Sequence, residues 1–264
     1  MAEYRVYEGT IDDGEFPEIL YKYRDWNAKY HDRYIIEREV YMAPASSFED
    51  EMDCKIPIRY DLLTEKQTID FAVRLSKAEH PEFSRQKHRK DAREWAKKRL
   101  LKNKKYVQDF QKFYFEENDK RQGILCVTEF PCLEKMWNDY ANNSTGFCIG
   151  YNSRILFNYL GGGGNVTYDS LPIILPEPIM EFHEIHHKQL FYKEPKWSYE
   201  NEYRTHKFYE TPATREMRQE KLPKEAFNKI ILGKNISENN RKEIIKAVRE
   251  SIGDIPILEY KNVC

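Results

Sequence analysis

Residues 136–151, MWNDYANNSTGFCIGY, carry the change of hydrophobic pattern that decides how the chain is expected to fold. Met136, Trp137 and Tyr140 recur at helical spacing and share one apolar face. The residues that follow favour turns and left-handed backbone: Asn142, Asn143, Ser144 and Gly146. The apolar run at 147–151 then predicts a short buried strand.

A helix that turns abruptly into a strand allows two interpretations of Trp137 and Tyr140. The ordinary one is a corner of the hydrophobic core, because large aromatic side chains are usually well buried. The functional one is a cleft wall on which the two rings stack against a flat ligand. Only residues elsewhere in the chain can favour the second interpretation.

Length and composition limit the class of protein. A chain of 264 residues can bury the core of one large domain or two small ones. Five cysteines without a CxxC pair argue against a disulfide framework or a zinc knuckle. The first ten residues lack an apolar leader, and no apolar run is long enough to span a membrane. We therefore expect a cytoplasmic protein with no membrane partner.

Periodicity predicts a mixture of strands and helices along the whole chain. Strands are expected at 18–24, 35–41, 123–128, 147–151, 197–208, 229–232 and 255–260, and helices at 65–78, 84–117, 180–192 and 237–251. Thr64 and Gln67 have the spacing of a capping box at the start of the first helix. We expect one α+β domain over residues 1–264, with a helical insertion at about 64–117.

The helical insertion begins with an unusually basic stretch. Residues 85–105 contain 11 Lys or Arg against two acids, although the whole chain has a net charge of -1. Such a stretch is often only a solvated helix face, but the asymmetry also fits a polyanion-binding surface. The candidate nucleic-acid contacts are Arg93, Lys97, Lys98, Lys102 and Lys105. Trp95 falls on the buried stripe of this helix and is not expected to stack on bases.

One motif suggests a metal site. His183, Glu184 and His187 satisfy the H-E-x-x-H pattern, which can bind zinc on a helix. A third ligand would have to be Glu200, Glu202 or Glu210, and the first two lie close in sequence for that role. The motif is short, so we expect no metal, and a zinc hydrolase is kept as the third functional alternative.

A second set of charged residues lies within the strand predicted at 197–208. Glu200, Glu202 and Arg204 are predicted to share one face of the strand at 197–208. On its own, E-x-E-x-R is most often a ladder of ion pairs on an exposed strand face. Alternatively, one carboxylate stabilises a developing cation while the other orients a partner.

Several stretches together resemble a bacterial family catalogued as domain of unknown function 2971. They are YKYR at 21–24, residues 48–54, residues 123–128, residues 136–151, and the pattern W-x-x-E-x-E-x-R at 197–204. The resemblance extends over roughly residues 19–260. This chain has FEDEMDC at 48–54 where the family usually has F-N-D-P-F-D-C.

That family is similar to ADP-ribosyltransferases of the arginine–serine–glutamate type. The resemblance implies a split β-sandwich around a cleft and NAD as the co-substrate. It implies that Glu202 is the catalytic carboxylate and that Glu200 orients the acceptor. It implies that Arg24 grips the diphosphate or ribose of NAD and that Thr128 helps to fix the nicotinamide-side ribose. Further candidates for binding NAD are Tyr23 and the two aromatic residues of the wall, Trp137 and Tyr140.

The sequence therefore predicts an NAD-dependent ADP-ribosyltransferase. The resemblance suggests a bacterial toxin or defence effector, with an antitoxin protein as a possible partner. The basic segment favours a nucleic-acid acceptor, RNA more than DNA or protein. The second functional alternative is a nucleic-acid-binding module without catalysis.

Overall fold

The computed structural model describes residues 15–264, so the predicted absence of a leader at 1–10 lies outside the described residues. Two compact units divide the chain, and each is described separately below. The first contains Met1–Pro44, Arg121–Val166 and Lys196–Cys264, and the second contains Ala45–Lys120 and Thr167–Pro195. The predicted insertion at 64–117 falls entirely within the second unit. Among the described residues, no helix has the length and apolar character to cross a membrane.

The predicted α+β class is confirmed. The strands are β1 Ile19–Arg24, β2 Glu39–Tyr41, β3 Gln122–Thr128, β4 Phe147–Asn152, β5 Gly164–Asn165, β6 Thr167–Tyr168, β7 Tyr192–Lys193, β8 Glu202–Phe208, β9 Gln219–Lys221, β10 Phe227–Leu232 and β11 Ile257–Glu259. The helices are α1 Arg33–Ile36, α2 Glu65–Glu79, α3 Arg85–Lys97, α4 Lys104–Arg121, α5 Glu134–Tyr140, α6 Ser153–Leu160, α7 Phe182–Phe191 and α8 Glu238–Ser251.

A seven-stranded sheet organises the first unit, in the order β11-β10-β4-β1-β3-β8-β5. All of its neighbouring strands run antiparallel except β10 and β11. β1 pairs with β4 at six positions and β3 pairs with β8 at seven, whereas β1 pairs with β3 only through Tyr21 and Thr128. The sheet thus consists of two well-paired halves that part between β1 and β3.

Each face of this sheet is covered by a different apolar cluster. The larger cluster includes Leu20 and Val127 from the sheet together with Ile244 and Val248 of α8. The smaller cluster includes Tyr21 and Tyr23 of β1 with Trp137 of α5. Because successive residues of a strand point to opposite faces, Leu20, Lys22 and Arg24 leave β1 on the face opposite to Tyr21 and Tyr23. This alternation determines which polar side chains can meet.

The stretch at 136–151 folds as predicted, as a helix that turns sharply into a strand. Asn142, Asn143 and Ser144 have φ angles of 49°, 53° and 63°, in the left-handed region. Gly146 follows, and a Cβ at this position would collide with the carbonyl of Arg24. The turn residues therefore let β4 start directly against the end of β1.

The second unit is built from α2, α3, α4 and α7 around a separate core. Ile58, Tyr60, Phe71 and Leu101 are buried in this core, and Trp95 packs partly against it. The capping box of Thr64 and Gln67 is present at the start of α2, as predicted. A two-stranded parallel sheet of β6 and β7 completes the unit.

Three predicted elements differ from the structure. The helix expected at 84–117 is two helices, because the backbone at Arg99 turns left-handed with φ 50° and a short 3-10 turn, Leu100–Lys102, intervenes. The strand expected at 35–41 begins as α1, and only β2 is extended. The strand expected at 197–208 begins only at Glu202, because Pro195–Glu200 forms a 3-10 helix.

The expectation against disulfides is also corrected. Cys132 and Cys264 form a disulfide with a Cα–Cα distance of 5.4 Å, although they are 132 residues apart in sequence. Sequence spacing did not predict this bridge because the fold, rather than a local motif, brings the two residues together. The other three cysteines, Cys54, Cys126 and Cys148, form no disulfide.

Candidate active site

Thr128 and Glu202 lie side by side on β3 and β8. They are directly opposite each other in the antiparallel register, so their side chains leave the sheet on the same face. The Glu202 carboxylate accepts two hydrogen bonds from Arg204, at 2.8 Å from Nε and 2.9 Å from Nη2. Glu202 is 6% exposed and Arg204 is 1% exposed. The predicted common face of these two residues is confirmed, but the pair is buried rather than an exposed ladder.

Glu200 belongs to the same region, but it is not on the strand as predicted. It is the last residue of the 3-10 helix Pro195–Glu200, and Asn201 then turns left-handed with φ 43° before β8 starts. The Thr128 hydroxyl donates to the Glu200 carbonyl at 2.5 Å, and the Tyr140 hydroxyl donates to the Glu200 carboxylate at 3.4 Å. The structure therefore brings together Thr128, Tyr140, Glu200 and Glu202.

Lys22 occupies the parting between β1 and β3. Its ammonium donates to the carbonyl of Cys126 on β3 at 2.5 Å. Burial, followed by the charge of Arg24, lowers the pKa of Lys22, whereas the carboxylate of Glu202 acts in the opposite direction. Lys22 thus interacts with the charge of Arg24 on β1 and with that of Glu202 on β8.

Arg24 does not share the face of Thr128 and Glu202. Tyr21 lies opposite Thr128, so alternation along β1 directs Arg24 to the other face of the sheet. There its guanidinium carbon lies 4.5 Å from the centroid of the Tyr34 ring, and Nη2 donates to the Tyr34 hydroxyl at 2.6 Å. The Arg24 Nε is buried without a hydrogen-bond partner among the described residues. The other two nitrogens of the guanidinium donate within the chain, Nη1 to the carbonyl of Tyr23 and Nη2 to Tyr34.

Arg24 lines a pocket of about 220 Å³ whose walls are strongly cationic. Four basic side chains line it against one acidic one, namely Arg24, Lys29, Arg33 and Arg215 against Glu39. Arg33 is already neutralised by Glu39 at 2.8 Å. The Arg215 guanidinium lies 3.1 Å from the centroid of the Tyr30 ring, which fixes it at the wall. The pocket thus combines unpaired positive charge with aromatic surface, a combination suited to a phosphorylated ligand.

Tyr23 and Trp137 belong to the core and are not cleft residues. They are 1% and 0% exposed, and their rings meet edge to face at 5.1 Å. The Tyr23 hydroxyl donates to the carbonyl of Phe130, and the Trp137 indole donates to that of Pro131. The ordinary interpretation of Trp137 is therefore confirmed, because neither ring has surface left for a ligand. Only Tyr140 of the proposed aromatic wall is partly exposed.

His31 also lines the pocket, and its lowered pKa makes the stability of the fold depend on pH. Burial, followed by the charge of Arg24, lowers the pKa of His31 to about 4. The unfolded chain takes up this proton at about pH 6.5, before the folded protein does. We therefore expect the free energy of unfolding to fall as pH decreases from about 6.5 to about 4.

Denaturant unfolding of wild type and His31→Gln at pH 7 and pH 5 measures this contribution. The variant should lose less stability between the two pH values, because a glutamine does not titrate. An equal loss in both proteins would show that other groups cause the dependence.

The H-E-x-x-H motif lies on α7 in the second unit. Its His187 stacks on Phe191 at 5.1 Å between ring centroids, and its Glu184 pairs with Lys188 at 2.6 Å. Among the described residues, no group of three or more His, Cys, Asp or Glu is placed to hold a metal ion. In the acidic stretch at 48–53, Asp53 is 3% exposed and pairs with Lys193 at 3.3 Å.

The predicted nucleic-acid contacts are on the surface of the second unit. Arg93, Lys97, Lys98, Lys102 and Lys105 are all exposed. Two of them have acidic neighbours on the same helix, because Lys97 pairs with Glu94 and Lys105 with Asp109. Exposed pairs of this kind are worth little and exchange partners readily.

Comparison with known proteins places part of the first-unit site in a family. Residues 136–205 match the family model described as Protein of unknown function (DUF2971). The predicted resemblance to this family is thus confirmed over the part of the chain that holds Tyr140, Glu200, Glu202 and Arg204. No curated protein and no solved structure matches the chain.

The sequence did not indicate several residues of the cationic pocket. Arg33 and Arg215 lie far apart in sequence and belong to no motif, so only the fold places them beside Arg24. The sequence did indicate Arg204, because this residue ends the W-x-x-E-x-E-x-R pattern. Its role as the buried ion-pair partner of Glu202 appears only in the structure.

Proposed function

We propose that this protein is an NAD-dependent ADP-ribosyltransferase with a split β-sandwich, in which β1 and β3 separate at the split. The observation that carries the proposal is the buried Glu202 carboxylate, held by Arg204 and placed beside Thr128 at that split. A fixed, desolvated carboxylate stabilises a nearby cation far better than one in water.

The reaction needs a carboxylate at one point. The bond between ribose C1′ and the nicotinamide nitrogen breaks, and its electron pair leaves with neutral nicotinamide. The ribosyl group then carries an oxocarbenium-like charge, as in glycoside hydrolysis. Glu202 stabilises that charge, and Glu200 orients the acceptor. The acceptor's lone pair forms the new bond to C1′ while its proton is released.

The side chains on the two faces of the sheet, near the split between β1 and β3, suggest where the diphosphate and the nicotinamide-side ribose of NAD bind. The diphosphate fits the cationic pocket of Arg24 and Arg215, which has aromatic walls but little negative charge. The nicotinamide-side ribose belongs on the face of Thr128 and Glu202. Lys22 interacts with the charges of both Arg24 and Glu202. This supports a position for Lys22 between the diphosphate and the nicotinamide-side ribose of NAD.

The acceptor that we propose is nucleic acid, with RNA favoured. The exposed basic side chains of α3 and the turn that follows it support this choice, because residues 85–105 contain 11 Lys or Arg against two acids in a chain whose net charge is -1. A neutralising antitoxin partner, and a role as a toxin or defence effector, follow from the resemblance of the family to transferases of this kind.

Incubation of the purified protein with NAD labelled in the adenylate phosphate tests the proposal. The mixture contains RNA, DNA and cell lysate in separate reactions, and both label transfer and nicotinamide release are followed. We expect nicotinamide release and label on nucleic acid. If no nicotinamide is released in any reaction, the chain is not a transferase, and binding of nucleic acid without catalysis becomes the function to test.

Arg24→Ala should weaken NAD binding. Loss of a charge-assisted hydrogen bond to phosphate costs roughly 1.5–3 kcal/mol, which corresponds to about 10- to 150-fold in Kd. Calorimetric titration with NAD measures the change. Arg241→Ala is the matched control, because Arg241 pairs with Glu259 away from the pocket, and its Kd should equal that of wild type. Equal affinities for wild type and Arg24→Ala would place the diphosphate elsewhere.

A further inference from the structure

The second unit contains a pocket of about 410 Å³ that the proposed reaction does not use. Its inner surface is apolar and includes Leu63, Trp95 and Leu101. Leu63 and Leu101 are buried in the core of this unit. Trp95 packs its ring against Phe71 at 6.2 Å, as its helical position predicts. It is only partly buried, and its remaining surface lines the pocket, so the expectation that it cannot stack on a base is revised. The size is in the range of pockets that hold small ligands.

The opening of this pocket is surrounded by positive charge. Lys97, Arg99 and Lys102 line it, and all three are exposed. The Lys102 ammonium donates to the carbonyl of Asp61 at 2.7 Å, which directs it to this side of the unit. Arg99 has no hydrogen-bond or ion-pair partner for its side chain among the described residues. Its left-handed φ of 50° is uncommon for a residue with a side chain and occurs more often at functional positions.

An aromatic and apolar interior under a basic opening suits a flat ring attached to phosphate. Single-stranded nucleic acids are bound in this way, with bases on aromatic side chains and phosphates on Lys or Arg. Glu65 also lines the pocket, and its carboxylate would repel a phosphate but can accept a hydrogen bond from the amino group of a base. The interior is therefore suited to a base and the opening to the backbone.

We propose that this pocket binds one unpaired base of a single-stranded nucleic acid, while Lys97, Arg99 and Lys102 hold the adjacent phosphates. The inference rests on the proposed function for the identity of the acceptor, which it narrows from nucleic acid to unpaired strands. A duplex keeps its bases stacked inside and cannot fill the pocket without extruding one.

Fluorescence anisotropy without NAD tests the base site. The probes are a labelled single-stranded adenine RNA of twelve residues, an abasic strand with the same number of phosphates, and the corresponding duplex. The base-containing strand should bind about 5- to 150-fold more tightly than the abasic strand, the range measured for base stacking on aromatic residues. The duplex should bind no more tightly than the abasic strand.

Two variants separate the interior from the opening. Ala96→Leu adds volume inside the pocket and should reduce binding of the base-containing strand to the level of the abasic strand. Arg99→Gly removes a charge at a position whose φ suits glycine, so it should weaken both strands equally. Arg89→Gln, on the exposed surface of α3 outside the pocket, is the control for loss of one charge. If Ala96→Leu unfolds, Thr68→Leu on the half-buried α2 wall of the pocket replaces it.

Equal affinity of wild type for the base-containing and abasic strands would overturn the inference, because phosphate binding alone would explain the affinity. Unchanged binding by a folded Ala96→Leu protein would do the same. Tighter binding of the duplex than of the base-containing single strand would also overturn the inference, because this surface would then bind double strands. Base-dependent binding by a protein that releases no nicotinamide would leave the inference intact and remove only the proposed transferase activity.

Discussion

Glu202→Gln is expected to reduce NAD turnover by at least about 10²-fold, because it removes the charge that faces the developing ribosyl cation. Glutamine keeps the shape of the side chain and one oxygen that can accept from Arg204. Nicotinamide release per minute at saturating NAD measures the effect. Unchanged turnover in a folded Glu202→Gln protein would refute the catalytic role of this carboxylate.

Stability needs its own control in this experiment. The sequence suggested a polar, exposed strand face that would tolerate substitution, but Glu202 and Arg204 are buried. Removing one partner of a buried ion pair costs about 3–5 kcal/mol, and an isosteric amide should cost less. Turnover is therefore compared at a temperature at which circular dichroism shows both proteins to be fully folded.

Asp53→Asn is the matched variant for this comparison. Asp53 is also a buried carboxylate in an ion pair, with Lys193 at 3.3 Å, and it lies in the other unit. Its replacement should lower the melting temperature to a similar degree without lowering NAD turnover. If both variants lose turnover in proportion to their stability, the loss in Glu202→Gln reflects unfolding and not chemistry.

The sequence predicted the local structure around the corner at 136–151 well. Asn142 and Asn143 adopt left-handed backbone there, because asparagine adopts this conformation at a lower energetic cost than most residues. The residue type alone therefore predicts the turn. The strand expected at 18–24 was predicted equally well and is β1. Local preference and hydrophobic period therefore predict such elements without knowledge of the rest of the chain.

The candidate site was predicted less completely, for reasons that are not local. Glu200 and Glu202 are two residues apart, which suggested one strand face, but the left-handed Asn201 separates a 3-10 helix from β8. Whether Arg24 shares a face with Glu202 depends on the register between β1 and β3, which a single residue pair sets. Neither the register nor the clustering of Arg215 with Arg24 leaves a signal in the sequence.

Binding of RNA to the second unit is expected to fall by about a hundredfold between 50 and 200 mM salt. The reason is counterion release: each neutralised phosphate contributes about -0.7 to the slope of log K against log salt on a single strand, and -0.9 on duplex. Four or five phosphates bound by the exposed residues of 85–105 give the stated loss of affinity. The surface pairs of Lys97 and Lys105 with acids do not prevent this, because they are weak and screened by the same salt.

Simultaneous replacement of Lys97, Lys98, Lys102 and Lys105 by Gln should remove most of that salt dependence. The slope should become less steep by about 0.7 for each phosphate that the variant no longer neutralises. RNA modification should fall accordingly, while slow hydrolysis of NAD by the first unit remains, since docking and chemistry use different residues.

The matched control replaces Lys224, Lys234, Lys242 and Lys246, four exposed lysines of the first unit, by Gln. Lys242 and Lys246 have i,i+4 acidic partners, as Lys105 does in the second unit. The control lowers the total charge by the same amount, so it separates a local docking surface from a general effect of charge. If both quadruple variants bind and modify RNA equally well, the basic side chains of 85–105 are only a solvated face. A protein acceptor would then fit the transferase better than a nucleic acid, because recognition of a protein does not require a dense row of basic side chains facing phosphates.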